Sequence, residues 1–75
     1  MDWQPDQPTL DLIRHLALQN SYQYAGKGQA GSVISRIMGS RVDLRQHGKI
    51  IAPLVAKEVA KANSLAQNDG LEAVR

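Results

Sequence analysis

Apolar residues recur at helical spacing in three segments of this chain, and this pattern most constrains its fold. The segments run from about residue 9 to 23, from 29 to 38 and from 49 to 65. In each of them, aliphatic side chains three and four positions apart fall on one side of a helix. No stretch alternates apolar and polar residues for long enough to predict a strand. The sequence therefore predicts an all-α fold, a small bundle of three main helices with one or two short helical turns.

The length of 75 residues is enough for one small domain. We expect an irregular N-terminal segment over 1–8, a helical domain over 9–66, and a tail or the start of a linker over 67–75. Either Thr9 or Asp6 can cap the first helix. The chain has no cysteine, which excludes disulfides, thiolate zinc sites and cysteine nucleophiles.

The same periodicity predicts where individual side chains and helix ends lie. Tyr24 falls on the apolar side of the first helix, and Leu65 falls on that of the third. Gly39 is predicted to end the second helix, because a glycine often follows the last helical turn. A short helical turn is expected next, anchored by Val42 and Leu44.

Three glycines surround Lys27 at the predicted start of the second helix. Gly26, Gly28 and Gly31 match the spacing of a dinucleotide-binding loop, but that motif requires a preceding strand and a parallel sheet. A structural explanation is that Gly26 or Gly28 forms a positive-φ turn and that Gly31 allows close helix packing. A functional explanation is phosphate binding by Lys27 and the N–H groups of residues 28–31. The local pattern leaves both explanations open.

Positive charge is concentrated in the middle of the chain. The net charge is only +2, which alone does not indicate a nucleic-acid-binding protein. Residues 27–61, however, contain seven Lys or Arg and two acidic residues, and the flanking segments are acidic. A basic face next to the glycines is predicted, unless these side chains are simply solvated. Its members are Lys27, Arg36, Lys57 and Lys61, with Arg41, Arg45 and Lys49 as further candidates.

No group of residues predicts catalysis or metal binding. His15 and His47 have no second ligand at metal spacing, and Ser32 has no neighbouring base to activate it. Glu58 has no second carboxylate near it in sequence for acid–base catalysis. We predict a structural role for Glu58, in an ion pair or as an acceptor of N–H groups at a helix start.

The sequence also predicts a cytoplasmic protein without membrane contact. No apolar run approaches the roughly 20 residues that a membrane span needs. The N-terminal residues are acidic and lack the apolar core of a signal peptide.

Several motifs in a fixed order carry a resemblance to a known family. They are Gly26-Lys27-x-x-x-Gly31-x-Val33-Ile34, Asp43-Leu44-Arg45, Ile51-Ala52-Pro53-Leu54-Val55-x-x-Glu58-Val59 and Ala62-Asn63-Ser64-Leu65. In this combination, residues 10–66 resemble the helical domain in front of the catalytic core of archaeal-type glutamyl-tRNA synthetases. The chain is similar, more distantly, to the N-terminal domain of eukaryotic glutaminyl-tRNA synthetases and to the tail domain of the amidotransferase B subunit. It departs from the family pattern at Gly28, often alanine there, and at Val42, where the family has proline.

The resemblance implies a non-catalytic, tRNA-contacting domain of a ligase that charges tRNA with glutamate. The implied partners are tRNA and the catalytic core, to which 67–75 would lead. The implied cofactor is ATP in the parent enzyme and none in this domain, and we expect a monomer. The motifs of the catalytic core, His-Ile-Gly-His-like and Lys-Met-Ser-Lys-Ser-like, do not occur here.

Two other classes of function are alternatives. In the first, the domain is an interaction module that docks on the catalytic core or on another protein, and Leu18 and Tyr22 belong to an exposed contact patch. Alternatively it is a small free-standing enzyme, against which the lack of paired catalytic residues argues.

Overall fold

A computed structural model of the protein describes residues 3–70, and these form a bundle of three helices. The helices are α1 (Gln7–Gln23), α2 (Ala30–Ser40) and α3 (Gly48–Leu65), with a 3-10 helix (Val42–His47) between α2 and α3 and a π-helical turn (Ala66–Gly70) after α3. No strand occurs in residues 3–70. The predicted all-α fold is confirmed. Within this range, no helix is long and apolar enough to cross a bilayer.

Helix α1 begins at Gln7, two residues earlier than the periodicity predicts. The Asp6 carboxylate accepts a hydrogen bond from the Thr9 N–H at 3.0 Å, so Asp6 is the capping residue. Pro8 fits in the first turn because the N–H that it lacks would have no partner there. Thr9, the other capping candidate, is buried inside the helix.

The prediction that Gly39 ends α2 is wrong, because the helix continues through Ser40. A glycine that stops a helix takes a positive φ, and among the glycines of the described part only Gly26 does so. The end of α2 is closed instead by the Arg41 N–H, which donates to the Ile37 carbonyl at 2.8 Å.

The core is aliphatic and lies between the three helices. Helix α1 packs along α3, and α2 packs against both. The buried side chains come from every helix and from the 3-10 segment; they include Ile13, Ala17, Val33, Ile37, Leu44, Ile51, Val55 and Val59. Complete burial of one of the Val, Leu or Ile side chains among them contributes about 1.5–3 kcal/mol.

Three apolar residues that the periodicity places inside are exposed. Tyr24, Val42 and Leu65 expose 51%, 63% and 48% of their surface. Tyr24 follows the last residue of α1, where the backbone leaves the helical path and the helical spacing no longer applies. Val42 begins the 3-10 helix, which directs only Leu44 inward. Leu65 is the last residue of α3 and lies at the edge of a groove.

The segment before α1 folds back onto the start of α3. The Trp3 ring stacks on the His47 ring, with 3.8 Å between the ring centroids and 2° between the planes. Trp3 also packs against the core. The stack fixes residues 3–6 over the junction of the 3-10 helix and α3.

Candidate nucleic-acid interface

The connection between α1 and α2 starts with a tight turn from Tyr24 to Lys27. The Lys27 N–H donates to the Tyr24 carbonyl at 3.1 Å. The two central residues, Ala25 and Gly26, have φ values of 56° and 83°. Positive φ at both positions is the signature of a type I′ turn. The predicted positive-φ turn at Gly26 is therefore confirmed, and Ala25 shares it at a cost that glycine would not have.

Two asparagines from different helices hold the residues that follow this turn. Asn63 of α3 accepts a hydrogen bond from the Gly28 N–H at 2.9 Å and donates to the Gly28 carbonyl at 3.0 Å. Asn20 of α1 accepts from the Gln29 N–H at 2.8 Å. We call Asn20 and Asn63 the asparagine clamp. It fixes the backbone at the start of α2 against both neighbouring helices.

The asparagine clamp requires a glycine at position 28. A Cβ on Gly28 would lie 2.5 Å from the Asn20 Oδ1 and 2.9 Å from the backbone N and Cα of Ser21. The prediction that Gly31 allows close packing is wrong, since no atom of another element lies within 4 Å of the place of its Cβ. Gly31 is exposed at the start of α2, and Gly28 has the close contact.

Part of the backbone proposed for phosphate binding is already hydrogen-bonded within the protein. The N–H groups of Gly28 and Gln29 donate to the asparagine clamp. The Gly26 N–H donates to the Ser21 carbonyl at 2.7 Å. The N-cap residue Gln29 makes no side-chain cap hydrogen bond, so the N–H groups of residues 30–32 are the ones left without an intrahelical partner at the start of α2.

A groove beside the turn brings several polar side chains together. Its volume is about 170 Å³, and it is lined by Tyr24, Lys27, Gln29 and Ser32. An adjoining recess shares Tyr24 and Ser32 and extends to Arg36. We call the two together the Tyr24 groove. The Arg36 guanidinium is held at its edge by a 3.3 Å hydrogen bond to Gln19 of α1. Lys27 and Arg36 therefore lie on the same side of the bundle, between α1 and α2.

The other two predicted basic residues lie elsewhere. Lys61 lines a second groove, between α1 and α3, together with Leu18 and Leu65. Lys57 is exposed on α3 and lines neither groove. The structure thus divides the predicted basic face into a pair of residues at the Tyr24 groove and two residues on α3.

Glu58 stands between two basic side chains. Its carboxylate lies 3.2 Å from the Arg14 Nε and 3.6 Å from the Lys61 Nζ. Only 17% of the Glu58 side chain is exposed, so these contacts offset the cost of its partial burial. Much of the charge of Lys61 is consequently directed toward Glu58.

The remaining charges differ in whether they have an acidic partner. Arg41 makes two hydrogen bonds to Asp43, at 3.0 and 2.9 Å, which lower the pKa of that carboxyl. Among residues 3–68, whose side chains the structure describes, Lys27 and Arg36 form no ion pair. Positive charge at the Tyr24 groove is therefore available to a ligand. Across residues 3–68, no three acidic or histidine side chains are close enough to hold a metal ion.

Three residues of this site were not predicted as such from the sequence: Tyr24, Asn20 and Asn63. For the asparagines a signal exists. Asn20 comes four residues after the buried Leu16, and Asn63 four after the buried Val59. An asparagine that continues a buried stripe needs hydrogen-bond partners, which points to a backbone contact.

The chain is related to a segment of known ligases. It is 42% identical over 59 residues, 79% of its length, to a glutamate–tRNA ligase of Sulfurisphaera tokodaii. The corresponding enzyme of Methanocella arvoryzae is 36% identical over 58 residues, 77% of this chain, and that of Pyrococcus horikoshii 36% over 63 residues, 84% of it. The chain spans only 10–11% of the length of these relatives.

No protein-family model and no solved structure matches the chain. The predicted relationship to glutamyl-tRNA synthetases is supported by the relatives. The more distant resemblances, to glutaminyl-tRNA synthetases and amidotransferases, stay predictions.

Proposed function

We propose that this chain is a non-catalytic auxiliary domain of a glutamate–tRNA ligase and that it contacts the backbone of tRNA. Its relationship to a segment of such ligases supports the association with the enzyme. One observation carries the tRNA contact: Lys27 and Arg36 lie together at the Tyr24 groove, with no acidic partner in the stretch from residue 3 to residue 68.

The groups at the groove suit a phosphate. The Lys27 ammonium supplies a compact charge, and the Arg36 guanidinium supplies paired N–H donors. The start of α2, which has no side-chain cap, adds N–H groups without an intrahelical partner and the positive end of the helix dipole. In this proposal Gly26 and Gly28 act through the backbone, by shaping the turn that presents Lys27. Gly31 keeps the first turn of α2 free of a side chain.

Lys57 and Lys61 have a secondary role in the proposal. They lie on α3, away from the Tyr24 groove, and Lys61 shares its charge with Glu58. They increase the general attraction of the domain for RNA without fixing its position. ATP is bound by the catalytic core of the parent ligase and not by this domain. The proposed site of action is the cytoplasm.

A salt titration of tRNA binding tests the proposal. Labelled glutamate tRNA is titrated with the 75-residue chain over a range of salt concentrations. Because phosphate contacts release counterions, the logarithm of the binding constant should fall linearly with the logarithm of the salt concentration. Lys27→Ala should weaken binding and reduce the slope by about 1.

Lys49→Ala is the matched control, since Lys49 is exposed at the start of α3 and lies outside the Tyr24 groove. We expect its effect on affinity to be smaller than that of Lys27→Ala. Equal losses of affinity from the two substitutions would show that the attraction between the domain and tRNA is not localised at the Tyr24 groove. An unchanged affinity for Lys27→Ala would remove the proposed site.

A docking role toward protein has a different surface in its favour. Leu18 and Leu65 line the groove between α1 and α3, and Tyr22 is 47% exposed nearby in sequence. Amide chemical shift mapping separates the two functions. Shifts at residues 26–36 on addition of tRNA support RNA contact, whereas shifts at 18–22 on addition of a ligase catalytic core support docking.

A further inference from the structure

We propose that Tyr24 is a stacking platform for one unpaired base, so that the Tyr24 groove holds a whole nucleotide of the tRNA. The base would lie on the Tyr24 ring, and its phosphate would contact Lys27 and Arg36. The inference rests on the proposed function and makes it more specific. It states that the RNA is unpaired where the domain contacts it.

The position of Tyr24 carries this inference. One exposed aromatic side chain on a small protein needs no explanation by itself. Tyr24 differs because its half-exposed ring lines both parts of a groove whose other ends carry Lys27 and Arg36. Tyr22 is exposed to a similar degree, 47%, and lines neither part. An exposed ring beside two cations that have no ion-pair partner within residues 3–68 is found at Tyr24 and not at Tyr22.

The backbone that presents Tyr24 and Lys27 is fixed. The Tyr24 N–H donates to the Asn20 carbonyl at 3.1 Å, and its carbonyl accepts from Lys27. The next two residues after Lys27 are held by the asparagine clamp. Ala25 keeps a positive φ of 56°, which a non-glycine residue retains only where its surroundings hold it. Because the loop is ordered before binding, ordering it costs little affinity.

The combination of a ring and cations selects an unpaired nucleotide. A base inside a duplex has both faces covered by its neighbours, so it offers no face to a tyrosine. Single-stranded loops, bulges and ends expose base faces, and proteins stack aromatic side chains on them. Stacking of one base on an aromatic side chain contributes about 1–3 kcal/mol and tolerates every base. The contact is therefore expected to distinguish unpaired from paired RNA rather than one sequence from another.

Three variants of the full chain test the role of the ring. Tyr24→Leu keeps an apolar side chain but removes the aromatic face, and Tyr24→Phe keeps the face. Tyr22→Leu is the control for loss of an exposed tyrosine. Tyr24→Leu should weaken tRNA binding about 5- to 150-fold, whereas the other two variants should bind like the wild type. The salt slope should not change in any of them, because no positive charge is removed.

A second measurement tests whether the contacted base is unpaired. A hairpin with 2-aminopurine in its loop and a duplex with 2-aminopurine in a base pair are titrated with each variant. The wild type and Tyr24→Phe should bind the hairpin more tightly than the duplex and should change the fluorescence of the hairpin. Tyr24→Leu should show neither the preference nor the fluorescence change. Circular dichroism melting of each variant verifies that it is folded.

The outcomes separate this inference from the proposed function. If the wild type shows no salt-dependent binding of tRNA, both are overturned. If tRNA binds with the expected salt slope and Tyr24→Leu binds as tightly as the wild type, only the stacking role is overturned. Equal affinity for hairpin and duplex would overturn the preference for unpaired RNA. Displacement of the hairpin by an equal concentration of a nucleoside monophosphate would assign the groove to free nucleotides instead.

Discussion

Gly28 makes the most restrictive contact of any single residue in the candidate site. Its backbone forms hydrogen bonds to Asn63 in both directions, and the place of its Cβ is occupied by Asn20 and Ser21. The sequence indicated that glycines matter between α1 and α2, but it did not indicate which of them. Both contacts come from residues on other helices, Asn63 being 35 positions away, and local spacing does not encode them.

The substitution Gly28→Ala is expected to destabilise the fold. The new methyl group would meet the Ser21 backbone, which has no rotamer by which to move away, and would displace the Asn20 side chain. We expect a loss of about 1–3 kcal/mol in the free energy of unfolding, typical of overpacking. Urea unfolding followed by circular dichroism measures it.

The matched substitution is Gly31→Ala, at an exposed helical position with open space around it. It should leave stability unchanged or raise it by up to about 1 kcal/mol, because alanine favours the helix over glycine. If both substitutions had the same effect, the close contact at Gly28 would not exist in solution.

At the scale of elements, periodicity located the helices and hydrogen bonds decided their ends. All three helices lie where the apolar spacing predicts, with bounds that differ by one or two residues. The two-residue differences lie at the start of α1, which Asp6 caps, and at the end of α2, where the Ser40 hydroxyl donates to the Arg36 carbonyl. The position of the end of α1 has a functional consequence. Tyr24 is the first residue after that end, and its side chain lines the groove.

The cap of α1 is expected to give the protein a pH dependence. Hydrogen bonding from Thr9, through its side chain and then its N–H, lowers the pKa of Asp6 below its ordinary value of 3.8. A carboxyl group whose pKa is lower in the folded state stabilises that state above its ordinary pKa. This contribution is lost as the pH falls through the folded-state pKa. We therefore expect the melting temperature to fall below about pH 4, partly because of Asp6.

Asp6→Asn keeps a capping oxygen and removes the titration. Melting temperatures between neutral and acid pH should thus fall less steeply for this variant than for the wild type. Asp43, whose pKa is lowered by its hydrogen bonds from Arg41, accounts for part of the remaining slope. Replacing Asp43 by Asn as well should flatten the curve further. Parallel curves for wild type and Asp6→Asn would contradict the role given to the cap.

On the scale of the whole molecule, the sequence predicted the fold class and the content of the core but not the distribution of charge. Lys27, Arg36 and Lys61 look alike in sequence, yet two of them share a groove and the third pairs with Glu58 on another side. Which surface a side chain reaches depends on how the helices are rotated against one another. Helical spacing fixes the buried face of each helix and leaves the neighbours of its exposed residues undetermined.

The small core makes the molecule sensitive to single cavities. Ile51 is completely buried, so Ile51→Ala should cost about 2–4 kcal/mol. The core of a domain of this size rarely supplies more than about 3–5 kcal/mol of stability, so a substantial fraction of the variant should be unfolded at room temperature. Circular dichroism and the fluorescence of the single tryptophan, Trp3, report the loss. Ile50→Ala, one residue away at a position 37% exposed, should fold like the wild type.

The asparagine clamp also determines how the backbone amides of Gly28 and Gln29 exchange hydrogen with solvent. Hydrogen exchange at a helical amide records the fraying or melting of its own helix. The Gly28 and Gln29 amides are instead bonded to side chains of α3 and α1, so each exchanges with solvent when the bond to its own asparagine breaks. The two rates therefore report separately on loss of the bond to Asn63 of α3 and on loss of the bond to Asn20 of α1. Compared with the rates of core amides, they give the free energy of opening the loop while the rest of the bundle stays folded.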